Sequence, residues 1–341
     1  MSLVINSPKM TRYPQATEPR KTTPIHSLDI FVTSLGNHFM IEIAEIFDEG
    51  FRANGIQSRI KIDQIPLTNP PPGLIQIAIA PHEYFKLFLE PKFSKEEVQQ
   101  FLQSTYMVSA EQPLTEWFEQ ACDRARPSLG ILDITEHTAI EYRKRGIFAL
   151  HAPLGYATCL EAGIDPHNLP DRSVDLLFLG SNSPKRERFL SQNADFFNCH
   201  NSNIVITRLE KPKFYHTAGF FANHDRNRLL RSCKILVNIH ANDNTYFEWL
   251  RVVMAIANGC LVISETSDYI EPLVNGKHLI ITDLDDIAAQ CDYYLEHESE
   301  RLAIVNEAYE FITQEFNSGI LCKSLLQKLE QHLEPKKLRK A

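Results

Sequence analysis

The sequence lacks the short motifs that mark several common enzyme classes. It contains no Gly-x-Gly, no Gly-x-x-x-x-Gly-Lys-Ser/Thr and no Gly-x-Ser-x-Gly. A dinucleotide-dependent dehydrogenase, a Walker-type ATPase and an α/β-hydrolase would each need one of these motifs. The dipeptides His82-Glu83 and His297-Glu298 lack the second histidine of a zinc-protease helix. These absences argue against four classes of enzyme.

Paired cysteines and a long apolar run are also missing. The seven cysteines are widely spaced and form no Cys-x-x-Cys pair, which argues against a disulfide framework or a zinc site and fits a reducing cytosol. The longest apolar stretch, 252–263, is interrupted by Asn258-Gly259 and is too short to span a bilayer. Residues 1–25 have no apolar core of a signal peptide, and they are predicted to form a flexible arm. We therefore expect a cytoplasmic protein without an integral membrane segment.

Length and composition indicate two globular domains. A chain of 341 residues with 43% hydrophobic and 23% charged residues can bury two cores of ordinary size. Its net charge of −8 gives no general attraction to nucleic acid or to anionic membranes. The irregular segment between Pro153 and Val174 places the boundary between an N-terminal domain, 26–165, and a C-terminal domain, 172–320. A C-terminal helix and basic tail, 321–341, complete the expected organisation.

Predicted strands alternate with predicted helices along most of the chain, as in parallel sheets with helices on both faces. The predicted strands are 28–33, 57–62, 74–80, 106–109, 129–134, 147–151, 174–179, 204–207, 235–239, 261–264 and 279–282. The predicted helices include 39–51, 95–103, 114–125, 139–144, 227–232, 245–257, 285–296, 301–316 and 320–333. The expected fold class is α/β, with two Rossmann-like domains that face each other across a cleft, where small ligands commonly bind.

The stretch from Cys233 to Glu265 predicts a strand, a polar loop, a helix, a tight turn and a second strand. Thr245 is predicted to cap the helix, and Asn258-Gly259 to end it, because the turn needs a left-handed residue. Ligands bind beyond the carboxyl ends of strands in open parallel sheets. The polar loop and Glu265 are therefore expected on a ligand-binding rim.

Charged side chains on this rim predict a site for a sugar and its phosphates. Glu248 and Arg251 share a helix face, so the carboxylate can accept two hydroxyls of a sugar or ribose and the arginine can pair with it or with a phosphate. The alternative is a surface ion pair. Gly180 permits close backbone approach before a helix start whose N–H groups can hold phosphate. The positive charges of Lys185, Arg186 and Arg188 can neutralise such a phosphate. Alternatively, these three residues form the solvated basic start of a helix.

Three short motifs follow one another in the C-terminal half: Asn238 and His240, Glu248 and Arg251, and Ser264 and Glu265. Together they resemble the donor domain of GT-B glycosyltransferases, closest to a bacterial subgroup with the same order of motifs. The resemblance is strong over 174–280 and architectural before it. Many relatives carry a second Glu where this chain has Met254. The donor site that the resemblance and the loop pattern imply comprises Gly180, Ser181, Arg186, Asn238, His240, Tyr246, Glu248, Arg251, Ser264 and Glu265.

The resemblance implies a metal-independent transfer of a sugar from a nucleoside-diphosphate sugar to a glycan, lipid or small-molecule acceptor, with no further cofactor. An inverting enzyme would need a general base from the N-terminal domain, whereas a retaining one would not. His38 and Glu111 are the predicted candidates, with Glu83 and Glu136-His137 as alternatives. His38 resembles the position at which several inverting relatives place a catalytic histidine.

Several of these signals have structural alternatives. Tyr246 can stack on a base or sugar, or belong to the aromatic core, and Asn238 and His240 can be structural hydrogen-bonding residues. Asp283-Leu-Asp285-Asp286 matches a metal-binding Asp-x-Asp pattern, but its place before a helix favours capping, so no metal is predicted. The functional alternatives are a nucleotide-sugar 2-epimerase of the same fold and a non-catalytic nucleotide-sugar-binding protein, which the Met254 departure keeps open.

Overall fold

A computed structural model describes residues 24–162, 172–207, 212 and 221–333. The predicted basic tail, most of the predicted arm and the centre of the predicted domain boundary lie outside these residues. Ile25, at the end of the predicted arm, is buried in the core instead. Among the described residues, no helix is both long and apolar enough to cross a membrane. All seven cysteines are free thiols.

The N-terminal domain is built on a parallel sheet whose strand order is β2-β1-β3-β4-β5-β6. Its strands are β1 Ser27–Val32, β2 Gln57–Ile62, β3 Leu74–Ile79, β4 Tyr106–Ser109, β5 Gly130–Asp133 and β6 Ala149–His151. Its helices are α1 Phe39–Arg52, α2 Pro81–Glu83, α3 Lys95–Gln103, α4 Glu116–Ala125 and α5 Glu136–Lys144. Because β1 and β3 are buried along their whole length, they read as continuous apolar runs, which is typical of central strands in parallel sheets.

The C-terminal domain repeats this architecture with the strand order β11-β10-β9-β7-β8. Its strands are β7 Val174–Ser181, β8 Ser202–Thr207, β9 Cys233–Asn238, β10 Leu261–Glu265 and β11 Ile280–Thr282. Its helices are α6 Pro184–Gln192, α7 Ala194–Asn198, α8 Asn223–Arg231, α9 Trp249–Ala257, α10 Ile287–Glu296, α11 Glu298–Gln314 and α12 Ser318–Leu333. All strand pairs are parallel. The predicted α/β class with two Rossmann-like sheets is confirmed.

The last helix, α12, returns to the N-terminal domain and packs along α1. A side chain at Gly50 of α1 would collide with the Ser318 carbonyl oxygen at 2.5 Å, so the glycine permits a close helix crossing. Asn54 Nδ2 donates to the Gly319 carbonyl at 2.8 Å. His332, near the end of α12, stacks on Phe148 with ring centroids 3.5 Å apart. The last helix therefore returns the chain from the C-terminal to the N-terminal domain.

Two local predictions were wrong, and one helical segment was not predicted. Helix α9 begins at Trp249, not at Thr245, because the Thr245 hydroxyl bonds to the Asp268 carboxylate and Tyr246 forms a β-bridge with the same residue. The side chain of Asp286 caps no backbone N–H at the start of α10. A π-helix, Tyr84–Leu89, continues α2 where no helix was predicted. Its aromatic side chains are buried, and this packing selects the conformation.

Candidate functional site

The three predicted motifs meet at the carboxyl ends of β9 and β10. Asn238 ends β9, and its Nδ2 donates to Ser264 Oγ at 2.9 Å and to Glu248 Oε2 at 3.0 Å. The backbone N–H of His240 donates to Glu265 Oε1 at 2.6 Å. Strand pairing sets this arrangement, since Asn238 lies directly beside Ser264 in the sheet. Residues up to 27 positions apart in sequence thus form one network.

Glu248 lies at the centre of this network, immediately before α9. Besides Asn238, its Oε2 is 2.9 Å from His240 Nδ1. Its Oε1 is 3.3 Å from Arg186 Nη2 and 3.5 Å from Arg251 Nη1. Burial raises the pKa of Glu248, but the hydrogen bond from His240 and the charge of Arg251 outweigh it and leave the pKa below its ordinary value. The carboxylate is therefore ionised and held by protein groups on both oxygens.

Arg186 connects this network to the end of β7. Its guanidinium donates to the Ile239 carbonyl at 2.8 Å and to Ser181 Oγ at 2.9 Å. A side chain at Gly180 would come within 3.1 Å of the same guanidinium, so the glycine leaves room for Arg186 to cross. Burial and the positive charge of Arg251 lower the pKa of Arg186 to about 10. Arg186 is thus a buried cation whose guanidinium is bound by protein oxygens.

Lys185, the neighbour of Arg186, reaches the same rim from α6. Its Nζ is 2.7 Å from Glu265 Oε2 and 3.1 Å from the Asn242 carbonyl oxygen. Because the lysine neutralises Glu265 at the strand end, the rim is not left with an excess of negative charge that would repel a diphosphate.

A cavity of about 330 Å³ lies between the two domains, next to this network. The N-terminal domain contributes Phe39, Ile43, Ala110, Gln112 and Ile134 to its lining. From the C-terminal domain the lining includes Leu179, Gly180, Ser181, Val205, Phe221, Arg226, Tyr246, Glu248, Trp249, Leu250, Arg251 and Met254. Five of the ten predicted donor residues therefore line the cavity: Gly180, Ser181, Tyr246, Glu248 and Arg251. The other five are not among its described lining residues. Met254 contributes an uncharged thioether side chain to this lining.

Two charged side chains join the domains beside this cavity. Glu42 of α1 and Arg226 of α8 form a bidentate pair with distances of 2.9 and 2.8 Å. The Asn223 N–H also donates to Glu42, at 3.0 Å. Both side chains are buried. The sequence did not reveal this pair, because its members are far apart in the chain and belong to separate predicted domains.

Across the cavity, carboxylates follow the strands of the N-terminal sheet. Glu111 follows β4, and its Oε1 is 3.5 Å from His82 Nε2. Glu83 accepts from the backbone N–H of Asn37 at 2.9 Å and thereby holds the β1–α1 loop. Asp133 ends β5 and accepts from the Thr135 N–H at 2.9 Å. Carboxyl groups thus gather at the carboxyl ends of the strands, on the side that faces the C-terminal domain.

Burial controls the protonation of this group. Burial, with a smaller contribution from the nearby charge of Glu83, raises the pKa of Glu111 to about 8. Burial also raises the pKa of Glu83 to about 7, against the hydrogen bonds from Asn37. Burial and the charges of Arg124 and Lys86 lower the pKa of His82 to about 4. A carboxyl group that titrates near neutral pH can accept or release a proton during a reaction.

The two candidate bases differ in their surroundings. Neither Glu111 nor His38 is among the described lining residues, although Ala110 and Gln112 beside Glu111 and Phe39 beside His38 line the cavity. His38 precedes α1 and makes no side-chain cap there. Tyr246 reaches from the C-terminal domain toward Asp133 and Glu111, and burial raises its pKa well above the ordinary value. Glu111 is thus distinguished by its raised pKa and by its interaction with Tyr246, which lines the cavity.

No cluster of three metal-ligating side chains occurs in the described part of the chain. Asp283, part of the Asp-x-Asp pattern, accepts from Thr266 Oγ1 at 3.2 Å. The acidic sequence before α10 is thus joined to the loop after β10 on the molecular surface.

Two parallel Rossmann-like sheets with a cavity between them define the GT-B class of fold. Residues 186–327 match a family model described as Glycosyl transferase-like. The solved structure of Anabaena Alr3699/HepE in complex with UDP-glucose is similar, with a TM-score of 0.57, 10% identity, and 89% of this chain and 99% of that chain covered. An α1,3-fucosyltransferase with GDP is similar with a TM-score of 0.52, 12% identity and 95% coverage of both chains.

One further likeness covers less of the other protein. The match to TarM has a TM-score of 0.47 and 11% identity, and it covers 77% of this chain and 55% of that chain. No curated protein matches the chain. The similarity to the structures of HepE and the α1,3-fucosyltransferase establishes a shared fold. The family model matches the domain that contains the network around Glu248.

Proposed function

We propose that this protein transfers a sugar from a nucleoside-diphosphate sugar to an acceptor, without a metal ion. The observation that carries this proposal is the convergence of Ser181, Glu248 and Arg251 on a cavity whose opposite wall adjoins Glu111. The family match supports the same reaction class. In this arrangement the C-terminal domain binds the donor and the N-terminal domain presents the acceptor.

The donor diphosphate lies against the start of α9 and Arg251. The first N–H groups of a helix and an arginine side chain both stabilise phosphate oxygens. As the bond between the anomeric carbon and the diphosphate oxygen breaks, its electron pair and the negative charge remain on the diphosphate. Arg251 and the helix start stabilise that charge.

Glu111 acts as the general base in this proposal. The acceptor oxygen forms the new bond to the anomeric carbon while its proton passes to the Glu111 carboxylate. Because burial raises the pKa of Glu111 to about 8, only the minor ionised form accepts the proton at neutral pH, and transfer should increase as the pH rises toward 8. His38 remains an untested alternative, and a retaining enzyme would use neither residue in this way.

Glu248 has a different role from the one first expected. Both of its oxygens are bound by protein groups, so it orients Asn238, His240 and Arg186 instead of taking up ribose hydroxyls. Together with Met254 in the cavity wall, this observation favours a second candidate function, a protein that binds a nucleotide sugar without turnover.

A thermal-shift screen with UDP, GDP, ADP, CMP, dTDP and their sugars tests donor binding, because a ligand specific to the folded state raises the unfolding midpoint. The complexes with UDP-glucose and GDP among the similar structures place those two nucleotides first. We expect a shift with one diphosphate that EDTA does not change. Product analysis then separates transfer or hydrolysis from 2-epimerisation and from binding alone. Silence across the panel would contradict the proposal.

A further inference from the structure

A half-exposed tryptophan lies beside the candidate base. Trp117, in the first turn of α4, is 47% exposed. Its ring is 5.4 Å from that of His82, at an angle of 41°, and His82 in turn lies 3.5 Å from Glu111. Burying a large aromatic side chain is favourable, so an indole that is left half in water next to His82 and Glu111 is a candidate contact surface.

The surroundings of this indole are polar. Lys86 Nζ lies 5.7 Å from the ring centroid and donates to Gln120 Oε1 at 3.2 Å. Gln120 Nε2 donates to Glu116 at 2.8 Å. A lipid chain placed on this surface would remove these charged and amide groups from water without offering them partners. A sugar ring presents an apolar C–H face to the indole and hydroxyl groups to the polar side chains around it.

The loop that carries this surface also reaches the cavity. Ala110 and Gln112, which flank Glu111 in the chain, line the cavity. Gln112 Oε1 accepts from Asn244 of the C-terminal domain at 3.0 Å. The β4–α4 loop thus carries Glu111 and the domain contact made by Gln112, and it leads into the helix that bears the exposed indole.

We infer that the acceptor is a carbohydrate whose ring stacks on Trp117 while a neighbouring hydroxyl points toward Glu111. This inference rests on the proposed glycosyl transfer and specifies its acceptor class. Stacking by Trp117 would fix the plane of the ring, and the base would then select the hydroxyl that reacts.

A substitution at Leu114 distinguishes a carbohydrate acceptor from an apolar one. It is 96% exposed and has a left-handed backbone, with φ of 69°, three residues before Trp117. Asparagine tolerates a left-handed conformation better than leucine, so Leu114→Asn removes the apolar side chain without straining the loop. An apolar acceptor would use Leu114, whereas a stacked sugar would not need it.

The test is a titration of intrinsic fluorescence with cellotetraose, maltotetraose and chitotetraose, in the presence of the diphosphate found by thermal shift. The chain has two tryptophans, and Trp249 is buried, so a Trp117→Phe variant identifies the responding residue. We expect at least one oligosaccharide to change the wild-type emission and the change to be absent in Trp117→Phe. Trp117→Ala should weaken oligosaccharide binding measured by calorimetry about tenfold, which corresponds to roughly 1.4 kcal/mol. Leu114→Asn should bind as the wild type does.

Three outcomes would overturn the inference. One is no emission change with any of the three oligosaccharides. Another is an equal loss of oligosaccharide binding in Leu114→Asn, which would show that binding does not depend on stacking by the indole in particular. The third is unchanged calorimetric affinity in Trp117→Ala. In all three cases, a nucleotide-induced thermal shift that persists in Trp117→Ala would show that the proposed donor site is intact. The absence of any such shift in the wild type would instead contradict the proposed function itself.

Discussion

Replacing Glu248 by alanine should destabilise the C-terminal domain even without ligand. The Arg186 side chain beside it is only 3% exposed, and Glu248 itself is 12% exposed. Removing the carboxylate would leave a buried guanidinium without its anionic partner. It would also remove the acceptor for Asn238 Nδ2 and for His240 Nδ1.

The size of the effect follows from this burial. Removing one member of a buried ion pair costs about 3–5 kcal/mol. Arg186 keeps its hydrogen bonds to Ile239 and Ser181, so the lower end of that range, about 3 kcal/mol, is expected. For a cooperative unit of 150–250 residues, such a loss lowers the unfolding midpoint by roughly 6–12 °C.

Urea denaturation of the ligand-free protein, followed by circular dichroism, measures this change. Glu310→Ala provides the matched control, because Glu310 is an exposed glutamate of α11 in the same domain, and such surface changes usually stay within about 0.5 kcal/mol. A double-mutant cycle with Arg186→Ala measures the coupling between the two side chains, which for residues in contact is about 0.5–3 kcal/mol.

The pH dependence gives a second readout of the same reasoning. The pKa of Glu248 lies below its ordinary value of 4.5 in the folded protein. Its stabilising effect is therefore present above pH 4.5 and is lost as the pH falls through the folded pKa. The difference in the free energy of unfolding between wild type and Glu248→Gln should become smaller below pH 4.5. A difference that stays constant with pH, or a Glu248→Ala variant as stable as Glu310→Ala, would refute a buried structural role for this carboxylate.

Three further predictions concern the N-terminal domain and the domain contact. Because burial raises the pKa of Glu111 to about 8, Glu111→Gln should gain stability relative to wild type as the pH rises from 4.5 toward 8, measured by denaturation, and should lose sugar transfer, measured by product analysis. Glu42→Ala should cost about 3–5 kcal/mol by leaving Arg226 buried and unpaired, whereas the double change Glu42→Leu with Arg226→Leu should recover much of that loss. Gly36→Ala should displace Glu83, whose Oε2 would lie 2.2 Å from the new methyl group, and the effect should appear as lower stability in the same denaturation assay. Equal stability of Gly36→Ala and wild type would show that the β1–α1 loop is not tightly held.

The sequence predicted most of the secondary structure, because hydrophobic periodicity and turn residues are local properties. The strand–loop–helix pattern from Cys233 to Glu265 is an example, and Asn258-Gly259 does end α9, with Gly259 at φ of 72°. The rule that ligands meet the carboxyl ends of parallel strands was sufficient to bring Asn238, His240 and Glu265 together. Parallel strand pairing then produced the contacts that the sequence alone could only imply.

Tertiary structure alone decided which of these side chains are occupied by protein partners. The start of α9 was misplaced because Thr245 bonds to Asp268, a partner that lies beyond the following strand. The Glu42–Arg226 pair, the clamp of Glu83 on Asn37 and the raised pKa of Glu111 depend on burial between elements far apart in the chain. Local sequence patterns carry the preference of each segment, but desolvation and long-range pairing depend on what packs against it, and only the folded arrangement of both domains determines that.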